Sequence, residues 1–175
     1  MTLLLTRGDV AALLTLGECI AAVEEAFALQ AGGRALGPGV LGLRAPDGGF
    51  HIKTAGLALS RLYVAAKLNA NFPANGSRRG LPTIQGVVLL SDGETGRPLA
   101  LMDSMEITGL RTAAATAVAA RHLARPDARV ATIVGCGRQG RVQLAALTRV
   151  RHLARAYAVD LAADVARRFA EEMSA

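Results

Sequence analysis

The chain has 175 residues, of which 51% are hydrophobic and only 3% aromatic, and it carries a net charge of +6. The basic residues are scattered: no run is longer than Arg78-Arg79 or Arg167-Arg168, and no aromatic side chains alternate with them. That pattern argues against a nucleic-acid or anionic-membrane surface. Two cysteines, Cys19 and Cys136, make neither a disulfide framework nor a metal site. The Leu3-Leu4-Leu5 run is too short for a secretory signal and no stretch is apolar enough to span a membrane, so a reducing cytoplasm is the expected compartment.

In chain order, Asp9 is expected to cap a short helix. Leu16 to Ala31 then has apolar residues at helical spacing (Ile20, Val23, Phe27) with Glu24 and Glu25 on the other side, and Gly32-Gly33 ends it. Short strands follow, predicted at Val40–Arg44, Phe50–Thr54, Tyr63–Leu68, Thr83–Leu90 and Pro98–Met102. They are separated by turn residues such as Pro46-Asp47-Gly48-Gly49. Strands so closely spaced predict an antiparallel or mixed sheet. Asp103 or Ser104 can cap the next helix, which runs to Leu123 and stops before Pro126. Beyond that linker the pattern is α/β: strand Val130–Val134, helix Arg138–Leu147, strand Ala156–Val159, helix Leu161–Met173. The expected organisation is a substrate and dimerisation domain over 1–125 and a partial dinucleotide-binding domain over 126–175.

The most specific motif is Gly135-Cys136-Gly137-Arg138-Gln139-Gly140. It follows an apolar strand, opens a helix and precedes a second strand that ends in Asp160. That is the context in which a GxGxxG turn binds a dinucleotide. Gly135 allows the tight turn, Gly137 lets backbone N–H groups reach a pyrophosphate, and Gly140 allows close helix–strand packing. The helix N-terminus adds positive potential. Asp160, about 20 residues beyond Gly140, can accept hydrogen bonds from the adenosine ribose and would repel a 2′-phosphate. No arginine follows it in Leu161-Ala162-Ala163, so NAD is expected over NADP.

Four ordered segments, Gly80-Leu81-Pro82-Thr83, Thr95-Gly96-Arg97-Pro98-Leu99-Ala100, Ile107-Thr108-Gly109-Leu110-Arg111-Thr112-Ala113-Ala114 and the glycine turn, resemble the ornithine cyclodeaminase/mu-crystallin family. The resemblance runs from about residue 10 to the C-terminus. It implies an N-terminal α+β substrate and dimerisation domain leading into a Rossmann domain, a homodimer, and redox chemistry at a carbon that bears an amino or imino group beside a carboxylate. It places the substrate-carboxylate contacts on Arg44, Lys67 and Arg111. It adds Thr83, Thr112, Arg138 and Gln139 to Gly135, Gly137, Gly140 and Asp160 as cofactor contacts. Guanidinium forks and an ammonium suit a carboxylate physically.

Two departures bear on the activity. Ornithine cyclodeaminases carry a Glu between the first Arg and the Lys, whereas Phe50-His51-Ile52-Lys53-Thr54 has no acid there. That puts ornithine in doubt, and leaves His51 or Lys53 able to bind substrate or simply to point outward. The second departure is length: a doubly wound sheet has about six strands, and two are predicted here. The family's catalytic Asp falls beyond Ala175, so a truncated Rossmann domain without turnover of its own is expected. The expected activity of the family is conversion of ornithine to proline and ammonia. A cyclic-imine (pyrroline-2-carboxylate) reductase or an alanine-type dehydrogenase is the alternative, and a non-catalytic mu-crystallin-like binding protein is the alternative of another class.

Overall fold

The computed structural model describes residues 1–174 as an α/β chain. It divides into two compact units, residues 1–14 with 25–107 and residues 15–24 with 108–175. The division expected after residue 125 is drawn from the linker that starts at Pro126; the compact units divide at 14/15, 24/25 and 107/108.

The first unit is built on a six-stranded sheet. Its strands are β1 (Leu3–Leu5), β2 (Ala35–Ala45), β3 (Gly48–Ala58), β4 (Leu62–Asn71), β5 (Ile84–Asp92) and β6 (Pro98–Asp103), in the spatial order β1-β6-β5-β4-β3-β2. β1 runs parallel to β6 and every other pair is antiparallel. The expected strands all form; β2, β3 and β4 extend by several residues past the apolar runs that marked them, because ladder pairing continues through glycines and polar residues, while β5 starts one residue later than expected and runs two further. Strand β1 and the short helix α3 (Asn75–Arg79) were not foreseen; three leucines are too few to show a period.

Helix α1 (Arg7–Leu13) starts differently from expectation. Thr6, not Asp9, is the N-cap. Asp9 lies three residues on and accepts the Thr6 N–H at 2.8 Å, while its own amide donates to the Thr6 hydroxyl at 3.3 Å. This is a capping box, which satisfies two otherwise orphaned N–H groups. Thr15 and Glu18 repeat the device at the start of α2 (Leu16–Ala31).

Side chains alternate across a strand, and directly paired residues share a face. The registers therefore sort this sheet into rows. One face carries the row Leu41–Ile52–Leu68–Val87, all substantially exposed. The other face carries Val40–Lys53–Lys67–Val88, then Gly42–His51–Asn69–Gly86, then Arg44–Gly49–Asn71–Ile84.

In the second unit, the main part of α4 (Met105–Leu123) accompanies parallel strands β7 (Val130–Val134) and β8 (Arg155–Val159) and helices α5 (Arg138–Thr148) and α6 (Ala163–Met173). Its core is Ile133, Cys136, Leu144 and Phe169, flanked by Leu147, Leu153, Ala158 and Val165. Among the described residues β7 pairs with β8 alone, and of its apolar run only Ile133 is buried. Arg151 closes the C-terminal end of α4, its Nη2 donating to the carbonyls of Ala120 (2.7 Å), Arg121 (3.0 Å) and Ala124 (3.3 Å).

Candidate functional site

In the second unit the glycine turn has the geometry its sequence requires. Gly135 sits at φ +92°, where an L side chain is strained, and its N–H donates to the Val159 carbonyl at 2.8 Å. A Cβ on Gly140 would lie 2.3 Å from the Gly135 carbonyl oxygen, so only glycine lets α5 pack this closely on the turn. A Cβ on Gly137 would meet nothing within 4 Å. The space beside the N-terminus of α5 is thus open, and Gly137, its N-cap, offers no side-chain acceptor to the first-turn amides. Those N–H groups and that space suit a pyrophosphate.

The peptide of Cys136 is held from both sides. Its N–H donates to Asp160 Oδ2 at 2.8 Å, and its carbonyl accepts from Arg141 Nη1 at 2.5 Å. Arg141 is itself held by Glu172 at 2.7 Å and lies over the Phe169 ring. The Cys136 side chain is fully buried, its Sγ 3.5 Å from the Val159 carbonyl. Asp160 Oδ1 accepts the Ala162 N–H at 3.1 Å. These amide hydrogen bonds, that of Cys136 first and that of Ala162 second, hold the Asp160 carboxyl below the usual carboxylate range against a smaller opposing effect of burial. A carboxylate has about four acceptor positions; with two taken, Asp160 keeps capacity for ribose hydroxyls. A cleft of about 570 Å³ beside the turn is lined by Gly135, Gly137, Gln139, Gly140, Thr116 and Thr132. The Gln139 side-chain amide donates to the Gly109 carbonyl on α4 at 3.3 Å. The expected contacts Thr112 and Arg111 are on α4 too. The Thr112 hydroxyl donates to the Thr108 carbonyl at 2.7 Å, and Arg111 is exposed. Arg138 opens α5, with its guanidinium about 3.9 Å from the Cβ position of buried Gly109.

In the first unit, Arg44 and Lys67 lie on one face of the sheet, together with His51, Lys53, Asn69 and Asn71. A cleft of about 410 Å³ is lined by Gly42, Arg44, Gly49, His51, Asn71 and Pro73. Asn69 is fixed there: its Oδ1 accepts from the fully buried Ser104 hydroxyl at 2.9 Å, and a Cβ on the facing Gly86 would collide with it at 2.6 Å. Thr83 lies just before β5, where its carbonyl accepts the Phe72 N–H at 2.9 Å.

Sequence reasoning placed the glycine turn and Asp160 together but missed Arg141 and Glu172. Arg141 follows the last glycine directly, which is a local signal; Glu172 lies 31 residues further on α6 and has none.

The whole chain, residues 1–175, matches the ornithine cyclodeaminase/mu-crystallin family. Alanine dehydrogenase of Archaeoglobus fulgidus is 39% identical over 168 residues, 96% of this chain and 51% of that protein. An archaeal alanine dehydrogenase dimer solved with bound NAD has a TM-score of 0.93 at 38% identity, covering 99% of this chain and 53% of that one. The Δ1-pyrroline-2-carboxylate reductase of Thermococcus litoralis, solved with NADH and L-proline, has a TM-score of 0.90 at 38% identity, with 99% and 54% covered. The chain spans about half the length of these relatives. It belongs to the ornithine cyclodeaminase/mu-crystallin family.

Proposed function

We propose that this chain supplies the pyrophosphate turn and the carboxylate-binding sheet face of an NAD(H)-dependent oxidoreductase acting on α-amino or imino acids. The observation that carries the reading is the Cys136 peptide fixed between Asp160 and Arg141, with open space beside Gly137. Such a turn is organised before any ligand arrives, so little ordering cost remains for binding. A nicotinamide dinucleotide held there would supply hydride exchange at the substrate α-carbon. The chain's own residues do the holding: α5 amides and Gln139 on the pyrophosphate side, Asp160 on the ribose, and Arg44, Lys67 and Arg111 on the substrate carboxylate. Thr83, Thr112 and Arg138 complete the cofactor contacts.

An amino or imino acid without a side-chain amine fits better than ornithine, because the rows bearing Arg44, His51, Lys53 and Lys67 carry no acid to receive one. Relatives named for alanine and for pyrroline-2-carboxylate support that choice. The exposed aliphatic row Leu41–Ile52–Leu68–Val87 is the surface on which a second copy would pack, in keeping with the dimeric archaeal relative.

Fluorescence titration with NADH and NADPH tests the cofactor reading. NADH should bind at least tenfold more tightly, since a 2′-phosphate would face the Asp160 carboxylate. Tighter NADPH binding would overturn it.

A further inference from the structure

Arg141 follows the last glycine of the turn, and its side chain folds back onto that turn. Its Nη1 donates to the Cys136 carbonyl at 2.5 Å, while Nε and Nη2 both reach Glu172 Oε2, at 2.7 and 2.6 Å. The guanidinium lies over the ring of buried Phe169, 5.5 Å from its centroid. The turn and α6 thus fix one side chain between them, and the Glu172 carboxylate balances its charge. What Arg141 gives the turn is a directed, charge-assisted hydrogen bond rather than a diffuse positive field.

The Cys136 carbonyl belongs to the same amide as the Gly137 N–H. That amide is trans, so its N–H points opposite to its carbonyl and away from the clamp. Sterics alone do not hold it so. Rotating the whole amide by half a turn would carry Gly137 from φ −77° into the positive region, which glycine adopts as readily. The flipped amide would present a carbonyl oxygen where the N–H had been, and that oxygen repels a phosphate. We propose that Arg141, anchored by Glu172, is a positioning residue for the dinucleotide: it locks the Cys136–Gly137 amide with its N–H toward the pyrophosphate. Through Glu172, α6 then takes part in cofactor binding without touching the ligand. The inference rests on the reading of the glycine turn as a pyrophosphate site. The same contact polarises the amide and makes the Gly137 N–H a stronger donor.

The chain has two cysteines and a single Cys–Gly bond, which makes this amide visible by itself. With 13C-carbonyl cysteine and 15N-glycine incorporated together, the one correlated NMR signal is that of Cys136–Gly137. The native chain is titrated with ADP, which carries a pyrophosphate, and with adenosine, which does not. The expected result is that ADP moves the signal and adenosine leaves it nearly in place. Arg141→Met, which keeps an aliphatic stem over Phe169, should shift or double the signal before any nucleotide is added. It should weaken ADP roughly tenfold, the loss expected for one charge-assisted hydrogen bond, and leave adenosine binding unchanged. Arg141→Lys should recover most of the ADP affinity. Glu172→Gln spares the guanidinium and carries the test by itself should Arg141→Met not fold; it should weaken ADP roughly threefold. Native ADP affinity in either variant, or losses equal for ADP and adenosine, would overturn the inference while leaving the pyrophosphate site intact. A native signal that ADP does not move would overturn both readings.

Discussion

At the scale of single residues, Asp160 has two duties that sequence alone would assign as one. In the proposed function it holds the ribose, and in the structure it fastens the glycine turn through the Cys136 amide. Asp160→Asn should therefore weaken NADH roughly tenfold without any gain for NADPH, because a neutral amide holds the Cys136 N–H less strongly than a carboxylate does. Titration with both nucleotides reads this directly. A depressed carboxyl pKa also fixes a sign. Because the folded-state value lies below the ordinary one, the stabilisation by Asp160 is present at neutral pH and through the usual carboxylate range, and is lost as the pH falls through the lowered value. Urea unfolding of the native chain and Asp160→Asn should thus differ above pH 5 and converge at strongly acid pH. At Gly140 the constraint is steric. A methyl group 2.3 Å from the Gly135 carbonyl oxygen must push α5 off the turn, so Gly140→Ala should lower both the melting temperature and NADH affinity, whereas Gly137→Ala, which meets nothing, should leave the melting temperature almost unchanged.

At the scale of elements, the end of α4 depends on one side chain. Arg151 reaches back to the carbonyls of Arg121 and Ala124, at the end where a helix leaves acceptors without partners, and shares that of Ala120 with the Ala124 N–H. Arg151→Met keeps the aliphatic stem and removes the donors, which should cost about 1–3 kcal/mol, measured as a shift of the denaturant midpoint at unchanged slope. Nothing in the sequence around Arg151 announces this, because its partners lie some 30 residues earlier. The same reason divides what could be read beforehand from what could not. Helix α2 and strand β7 were legible to the residue, since period and glycine punctuation are local. The Thr6–Asp9 capping box was half legible: the right residues were present, and which of them caps depended on where the first turn closes. At the site, the turn and Asp160 were legible through spacing. The clamp from Arg141 and Glu172 was not, nor was the pairing of Lys53 with Lys67, which exists only once the β3–β4 register is known.

At the scale of the whole molecule, the sheet of the first unit separates two kinds of side chain by face. Basic and amide side chains occupy one side and the aliphatic row the other. If the aliphatic row seats a second copy, a charge in its middle should be decisive: Ile52→Lys or Leu68→Glu should convert a dimer to monomer in sedimentation analysis. Melting of the second unit should stay where it was. A native chain that sediments as a monomer at high concentration would refute the assignment of that face.

The alternation of rows also governs which changes in chain length this protein can survive. Adding one residue within β3, between His51 and Thr54, would turn every later side chain of that strand to the opposite side, carrying lysine onto the aliphatic face and isoleucine or threonine among the arginine and asparagines. The same residue added at Pro46-Asp47, between β2 and β3, would lengthen a turn and shift nothing. Natural length variation in relatives of this sheet should accordingly collect at the hairpin ends, and a scan of single-residue insertions should show a sharp alternation, with tolerance at the turns and collapse of solubility within two residues of them.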